Sequence, residues 1–561
     1  MGKSFSRLWG LVLLLIPVSL LLATQFRGVD FGQHWDESFH FQGVQRTIQT
    51  GVFLPGAYTY PSVPYWLIVG ASLPEFVQAY FKAKPGFVKF QGAIAYQQCT
   101  AIGRQNVMEW AKCVNEKFGL PAHHMRVRKV FICFAALTVL WVYITTIILG
   151  YSRKEGLLAA CLLAFSWEVA YHSRWIAPDA IMMQFVALTG LCYMCAIVRS
   201  SKVAALFGAA LFAALATGAK YTAGLILIPV LISVFMTAGS PKKYSCLLLV
   251  TTGVLAVFAG AYLLTTPATV LEPLLFWQFL AENVSTVYSG GWYGYTVQAG
   301  WQHLGMNVQW IALCLLSKYK IISLVLFIIS LVGMYSLWQR SRILLIVLVS
   351  YPLVQLLFMS MKWAMIVRNL LVVAPFLAIL AARGVFYVYD RIRFSWLRVV
   401  WLCIIAAMVS INGAWLVQAA GTIQQRGSDH YLRELASYID RHPSDIFWVS
   451  PVLRQHLEKT DGRTRLNLAD NVANAQFVCA YHRELGIDKK FWWFPANDPF
   501  MSVTWFGPME VNMNYYPAWA GDHHIMVIKS AKLSELVDRE QTMRGIWRMR
   551  RLALGLSTEG I

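Results

Sequence analysis

The feature that most limits what this chain can fold into is a series of long, almost uncharged apolar runs, separated by short gaps that hold Lys and Arg. They lie near residues 9–23, 130–150, 156–173, 180–198, 203–218, 221–238, 244–264, 321–338, 343–360, 367–383 and 399–417. Many approach or reach the roughly 20 residues that a helix needs to cross a bilayer, and a helix satisfies its own backbone there. They predict a mainly α, polytopic membrane protein with about eleven transmembrane helices. The first run follows Lys3 and Arg7 and has no small-residue cleavage pattern after it, so it is expected to stay as an uncleaved span. Composition agrees: 57% of the 561 residues are hydrophobic and only 14% charged, unlike a soluble enzyme. The formal net charge of +20 would suit nucleic acid, but the basic residues sit in the gaps and form no single stripe. Membrane lipids and phosphorylated lipids are the expected partners, and nucleic acid is not.

Charge also orients the spans. With the N-terminus cytoplasmic, the inner connections carry Arg153 and Lys154, Arg199 with Lys202, Lys242 and Lys243, Arg340 with Arg342, and Arg383, Arg391, Arg393 and Arg398. The short outer connections hold only Arg174, Lys220, Lys362 and Arg368. Counting Trp66 to Phe81 as a span would reverse every later loop, so that stretch is read as an amphipathic helix on the outer membrane surface. The same parity puts outside a loop of about residues 25–129, a loop of about 265–320, and everything after about 418. Residues 1–417 are thus read as the membrane domain and 418–561 as a small α/β extramembrane domain. In the latter, residues 431–440 have helical periodicity, and Phe447-Trp-Val-Ser and Ile525-Met-Val-Ile read as strands. Of ten cysteines, seven fall in apolar spans; Cys99 and Cys113 share a polar loop and would pair if it faced an oxidising compartment. No Walker-type phosphate loop occurs, which argues against an ATP-driven pump.

Ionisable groups near membrane depth are costly and mark pathways or sites. Gln33-His34-Trp35-Asp36-Glu37-Ser38 follows the first span, and its adjacent carboxylates suit either a general base or the cap of a helix starting there. Tyr58-Thr-Tyr-Pro-Ser-Val-Pro-Tyr-Trp66 is either a site segment or an interfacial aromatic belt. In Tyr171-His-Ser-Arg-Trp-Ile-Ala-Pro-Asp179, the last residue caps a helix or supplies a second carboxylate; His172 and Arg174 offer hydrogen bonds to a phosphate. Lys220 and Arg368 are lone cations at outer span ends, where snorkelling or a phosphate site explains them equally. Separate stretches thereby place carboxylates, aromatics and cations on one membrane face.

These strings resemble the GT-C superfamily of integral-membrane glycosyltransferases, in the branch with protein O-mannosyltransferases and the aminoarabinose transferase of lipid A. The matching elements are His34-Trp-Asp-Glu37, Tyr60-Pro-Ser-Val-Pro-Tyr-Trp66, Arg174 with Pro178-Asp179, Thr217-Gly-Ala-Lys-Tyr-Thr222 and Arg368-Asn-Leu-Leu-Val-Val-Ala-Pro375. The likeness extends over roughly the first 385 residues, and Phe506 to Gly521 is similar to the tails of bacterial members. It implies an inverting transfer from a polyprenyl-phosphate sugar to a hydroxyl of a lipid, protein or glycan. In that pattern Asp36 is the base, with Glu37 and Asp179 as further carboxylates. Lys220, Arg368, Arg174 and Tyr60 would meet the donor phosphate, and His34, His172 and Tyr221 would position donor or acceptor. No obligatory metal is implied, although some relatives bind a divalent cation. Tyr60 stands where the family has a Lys or His, and Ser62 replaces a proline, so the cations at 220 and 368 are expected to carry more of the load. The residues from Lys82 to His124 are where acceptor specificity is expected. A bacterial inner membrane, with the C-terminal domain periplasmic, fits the tail. Two competing functions are a flippase for a lipid-linked glycan and a polymerase or ligase with a diphosphate-linked donor. A flippase predicts inverted repeats and broken helices; the sequence shows no repeat, and Pro229 is its only hint of a break.

Overall fold

The computed structural model describes residues 2–29, 34–50, 52–74, 124–199, 202–238, 244–284, 288, 297–426, 430–461, 468–481, 504–506 and 525–533. Among them, eight helices are long and apolar enough to cross a membrane: His124–Ile148, Pro178–Val198, Lys202–Ala219, Ser245–Thr265, Lys320–Arg340, Arg342–Ser360, Val367–Arg391 and Ser395–Gln424. Two shorter apolar stretches, Val12–Phe26 and Tyr221–Thr237, add to them. The apolar run at 156–173 is not one helix. It divides into Arg153–Ala164 and Trp167–Ser173, because Ser166 leaves helical geometry and its hydroxyl caps the second piece by accepting from the Val169 N–H. Several flanks are bare hydrocarbon: Leu248, Leu249, Leu264 and Ile321 are 69–81% exposed, which is tolerable only where lipid covers them.

The spans meet over small residues. Gly333 on Lys320–Arg340 and Gly384 on Ala374–Arg391 oppose each other so closely that a Cβ on Gly384 would lie 2.0 Å from the Ile329 carbonyl oxygen. This is the backbone-to-backbone packing that glycine permits in membrane helices. Polar groups collect at the two ends of the 25-residue helix His124–Ile148, about 37 Å apart at 1.5 Å per residue. Near one end Arg383 pairs with Glu155 at 2.9 Å, and Ser152 and Glu155 form a reciprocal cap. At the other end lies the site described below.

The first-loop segment forms the helix Trp35–Thr50 and the short helix Val63–Ala71, which has Pro64 in its first turn. That second helix buries Val63, Pro64, Tyr65, Ile68 and Val69 against the bundle, so a packed element replaces the expected surface helix at this point. Residues 75–81 of the expectation lie outside the described residues. So do Cys99, Cys113, nearly all of the Lys82–His124 stretch, and residues 507–521 of the tail string.

The C-terminal segment has its own core of Leu432, Leu435, Ile439, Phe447, Leu453, Leu457, Cys479 and neighbours. Its sheet runs β2-β1-β3-β5-β4, with β1 Phe447–Val449, β2 Leu468–Ala469, β3 Phe477–Tyr481, β4 Thr504–Phe506 and β5 Ile525–Lys529. β1 is parallel to β2 and β3, while β5 is antiparallel to β3 and β4. The helices His430–Arg441 and Pro451–Asp461 complete an α/β unit, and the expected helix and both expected strands are present.

Candidate active site

Four charged side chains from four parts of the chain form an alternating row. Asp36 Oδ2 lies 3.1 Å from Arg368 Nη2; Arg368 Nε lies 3.5 Å from Asp179 Oδ2; Asp179 Oδ1 accepts from Lys220 Nζ at 2.6 Å. Lys220 also donates to the Asn369 side-chain oxygen, and Gln355 Nε2 holds the Asn369 carbonyl at 3.1 Å. All four charged residues are buried, with exposures of 1–6%. A row of two anions and two cations cancels in net charge, which offsets the desolvation cost that each charge alone would carry.

Local sequence explains how each member arrives. Asp36 stands in the first turn of Trp35–Thr50 and Asp179 in the first turn of Pro178–Val198, where the helix dipole favours carboxylates. The two cations occupy breaks. Lys220 is extended (φ −153°) between the helix Lys202–Ala219 and a 3₁₀ turn, Tyr221–Ile226, and the next helix begins only at Leu227. Pro229 falls in the first turn of that helix, where its missing N–H costs nothing. Arg368 and Asn369 belong to the 3₁₀ turn Val367–Val373, ahead of Ala374–Arg391. Just before Lys220, Gly218 lets Val63 and Thr265 approach to where a Cβ would lie 2.8 and 2.9 Å from them.

The neighbouring carboxylate, Glu37, faces a different partner. Its Oε1 accepts from Arg128 Nε at 2.8 Å and from the Ile176 N–H at 3.0 Å. Its Oε2 accepts from Arg128 Nη2 and, at 3.1 Å, from the His34 N–H. Both residues of this pair are 1% exposed, and Arg128 also stacks on Trp175 with its guanidinium carbon 5.0 Å from the ring centre. Of the two adjacent carboxylates, Glu37 is thus held by a bidentate fork, while Asp36 faces the charged row.

His34 connects the parts. Arg368 can only donate, so His34 Nε2, at 2.7 Å from Arg368 Nη1, accepts. His34 Nδ1 faces the Asp36 backbone N–H at 3.2 Å and lies 3.7 Å from Asp36 Oδ2. Tyr60 donates to Asp36 Oδ1 at 3.1 Å. The Tyr60 backbone is placed by its neighbours: Tyr58 donates to Glu272, Asn283 donates to the Thr59 carbonyl at 3.1 Å, and Tyr221 donates to the Tyr58 carbonyl at 2.8 Å. Burial lifts the Asp36 carboxyl above the ordinary carboxylate range, while Arg368 and the Tyr60 hydrogen bond pull it partly back. Burial likewise drives the Tyr60 hydroxyl well up and holds His40 down at about 3, so that His40, whose ring centre is 5.2 Å from that of Tyr60, stays neutral.

A cleft of about 130 Å³ opens beside the row. Its lining includes Tyr60, Lys220, Tyr221, Tyr288 and Lys362 together with the apolar Leu280, Val284 and Phe358. Two expected site residues lie elsewhere. Arg174 donates to the Arg27 and Gln25 carbonyls at 3.0 and 3.5 Å, at the open end of the first helix. His172 Nε2 lies 3.5 Å from Glu168 Oε2, one turn earlier on its own helix, and, like Asp36, Asp179 and Arg368, does not line the cleft. Arg128, Asn369, Tyr288, His40 and Lys362 were not singled out from sequence. A buried arginine so close to the start of a span is the one signal that would have found Arg128. Among the described residues no group of three His, Cys, Asp or Glu is arranged to hold a metal ion.

The comparisons with known proteins follow this geometry. The family model for dolichyl-phosphate-mannose-protein mannosyltransferase matches residues 80–241, a stretch that contains Asp179 and Lys220 but not Asp36. This match supports the resemblance, read from the motifs, to the protein O-mannosyltransferase branch of the GT-C membrane glycosyltransferases. Among solved structures, the archaeal oligosaccharyltransferase AglB from Archaeoglobus fulgidus, in complex with an inhibitory peptide and a dolichol-phosphate, aligns over 86% of this chain and 70% of its own at 12% identity, TM-score 0.47. ArnT from Cupriavidus metallidurans bound to undecaprenyl phosphate aligns over 91% and 97% at 11% identity, TM-score 0.44. The protein O-mannosyltransferase Pmt1-Pmt2 complex of S. cerevisiae bound to the sugar donor aligns over 51% and 35% at 15% identity, TM-score 0.32. All three scores are below 0.5, and no inference about this chain rests on them. No curated protein matches the sequence.

Proposed function

We propose that this protein transfers a sugar from a polyprenyl-phosphate donor to an acceptor hydroxyl, with inversion, on the non-cytoplasmic face of the membrane. The observation that carries the reading is the buried row Asp36–Arg368–Asp179–Lys220, whose Lys220 lines a cleft with both polar and apolar residues in its wall. A lipid phosphate joined to a sugar needs both kinds of wall. Asp36 accepts the proton of the acceptor hydroxyl as that oxygen bonds to the anomeric carbon. The bond from that carbon to the phosphate oxygen breaks, and the phosphate leaves with the electron pair and one further negative charge. Lys220 stabilises it, in a site where water is scarce and fixed charges act strongly. Asp179 orients Lys220 and Arg368; Tyr60, His34 and Arg368 orient Asp36; Tyr221 holds the segment that carries Tyr60; Glu37 and Arg128 brace the helix on which Asp36 stands.

Orientation follows from charge. The Glu155–Arg383 end of the bundle carries the basic connections, so the opposite end with Asp36 faces away from the cytoplasm. Residues 418–561 then form a second domain on that outer side, periplasmic in a bacterial inner membrane. The acceptor is a lipid, protein or glycan hydroxyl.

The test is release of polyprenyl phosphate from a panel of short-chain polyprenyl-phosphate sugars in detergent, with Asp36→Asn beside the unaltered protein. Loss of a general base lowers turnover by about 10²–10⁴-fold, and the expected outcome is such a loss with donor binding retained. Normal turnover by Asp36→Asn removes Asp36 from the mechanism. No release by the unaltered protein from any donor, with acceptor hydroxyls of all three classes present, removes the donor class.

A further inference from the structure

The two cations of the row are already balanced. Asp36 and Asp179 carry two negative charges against the two positive charges of Arg368 and Lys220. When the sugar departs, the donor's singly charged phosphodiester becomes a phosphomonoester whose second ionisation lies near pH 6. Asp36, having taken the acceptor proton, is then neutral, so the row carries one net positive charge against a product that carries two negative ones.

Lys362 lines the same cleft as Lys220. It forms no ion pair among the described residues; its ammonium rests over the Phe358 ring, 4.7 Å from the centre. The backbone around it is fixed. The Lys362 carbonyl accepts from His303 Nδ1 at 2.6 Å, and the Trp363 N–H donates to the Tyr288 carbonyl at 2.9 Å. The Trp363 carbonyl accepts from the Val297 N–H at 2.9 Å, and the Ser360 carbonyl from the Gly300 N–H at 2.8 Å. Lys362 is thus a flexible cation on a firmly tied rim, with Tyr288 tied to that rim and facing the cleft. Phe358 is a neutral resting place, so the ammonium leaves it for an anion without abandoning a carboxylate.

We propose that Lys362 binds the departing lipid phosphate and answers the one of its two negative charges that the row leaves unmet. This rests on the polyprenyl-phosphate reading above. Its specific content is that Lys362 discriminates the doubly charged product from the singly charged donor.

The experiment measures binding of a short-chain polyprenyl phosphate, at pH 5 and pH 8, and of the matching polyprenyl-phosphate sugar, to the full-length protein, Lys362→Gln and Lys362→Arg. Losing one charge-assisted contact is expected to weaken the dianion at pH 8 by about tenfold or more. The monoanion at pH 5 and the sugar donor are expected to weaken by only about threefold or less, since the missing charge matters most to the dianion. Lys362→Arg is expected to restore the dianion. Equal weakening of all three ligands, or no rescue by Arg, assigns Lys362 a structural role and overturns the proposal. Unchanged binding by Lys362→Gln, with Asp36-dependent release intact, overturns it while the donor reading stands. If the unaltered protein binds none of the lipid phosphates, the donor reading fails and takes this proposal with it.

Discussion

Glu37→Gln is the substitution that best separates the two neighbouring carboxylates. Glu37 accepts four hydrogen bonds, two from Arg128 and one each from the His34 and Ile176 N–H groups. Glutamine keeps one accepting oxygen and turns an NH₂ group toward two donors, so two of the four bonds are lost. It also leaves the Arg128 charge without its carboxylate at 1% exposure. Bonds to charged groups are worth about 1.5–3 kcal/mol each, and breaking one side of a buried ion pair costs about 3–5 kcal/mol. Denaturant-induced unfolding in detergent is expected to show a loss of about 3–5 kcal/mol for Glu37→Gln. Most of it returns in the double variant Glu37→Leu with Arg128→Met, because no unpaired charge then remains. Asp36→Asn is expected to lose less stability than Glu37→Gln, since Arg368 still faces the Asp179 carboxylate and the Tyr60 hydroxyl still has an oxygen to meet. The refuting result is a Glu37→Gln protein of unaltered stability that has lost turnover. Glu37 would then serve the chemistry and not the brace.

Tyr60→Phe removes a hydrogen bond that favours the charged form of Asp36, so the Asp36 carboxyl rises further. A base must be ionised, so activity falls as pH drops through that value, and the acid limb of kcat/KM should move to higher pH; an unmoved limb would mean that Asp36 is not the titrating base. Gly384→Ala drives a methyl to 2.0 Å from the Ile329 carbonyl oxygen and should destabilise the bundle by about 1–3 kcal/mol or more. Gly260→Ala, which meets nothing within 4 Å, is the matched control and should be neutral or slightly stabilising; equal effects at both positions would refute the close helix crossing.

Some of the chemistry was legible because it is local. Carboxylates in the first turns of helices at 35 and 178, and lone cations at 220 and 368 between apolar runs, stand out against a background with only 14% charged residues. The structure brings four of these expected residues, Asp36, Asp179, Lys220 and Arg368, into one row, with His34 and Tyr60 attached. The rest was hidden because an ion pair has no sequence signature when its partners are far apart. Glu37 and Arg128 are separated by 91 residues, and Arg174 and Arg27 by 147. Either cation reads equally well as a phosphate ligand until its actual partner is seen.

The sequence by itself determined the partition of this chain between lipid and water. Transfer free energy depends on each run's own composition and length, and every backbone polar group in a span must find its partner within that span or its bundle. It likewise set the small α/β unit at the C-terminus, whose strands and helix show their periodicities locally. Only the tertiary structure decided which of two adjacent carboxylates stays with the reactive row, which cations are spent on carboxylates or helix ends, and which one, Lys362, forms no ion pair among the described residues. Those choices depend on how helices cross and where they break. Burial makes each unpaired charge so costly that the crossing geometry assigns the partners.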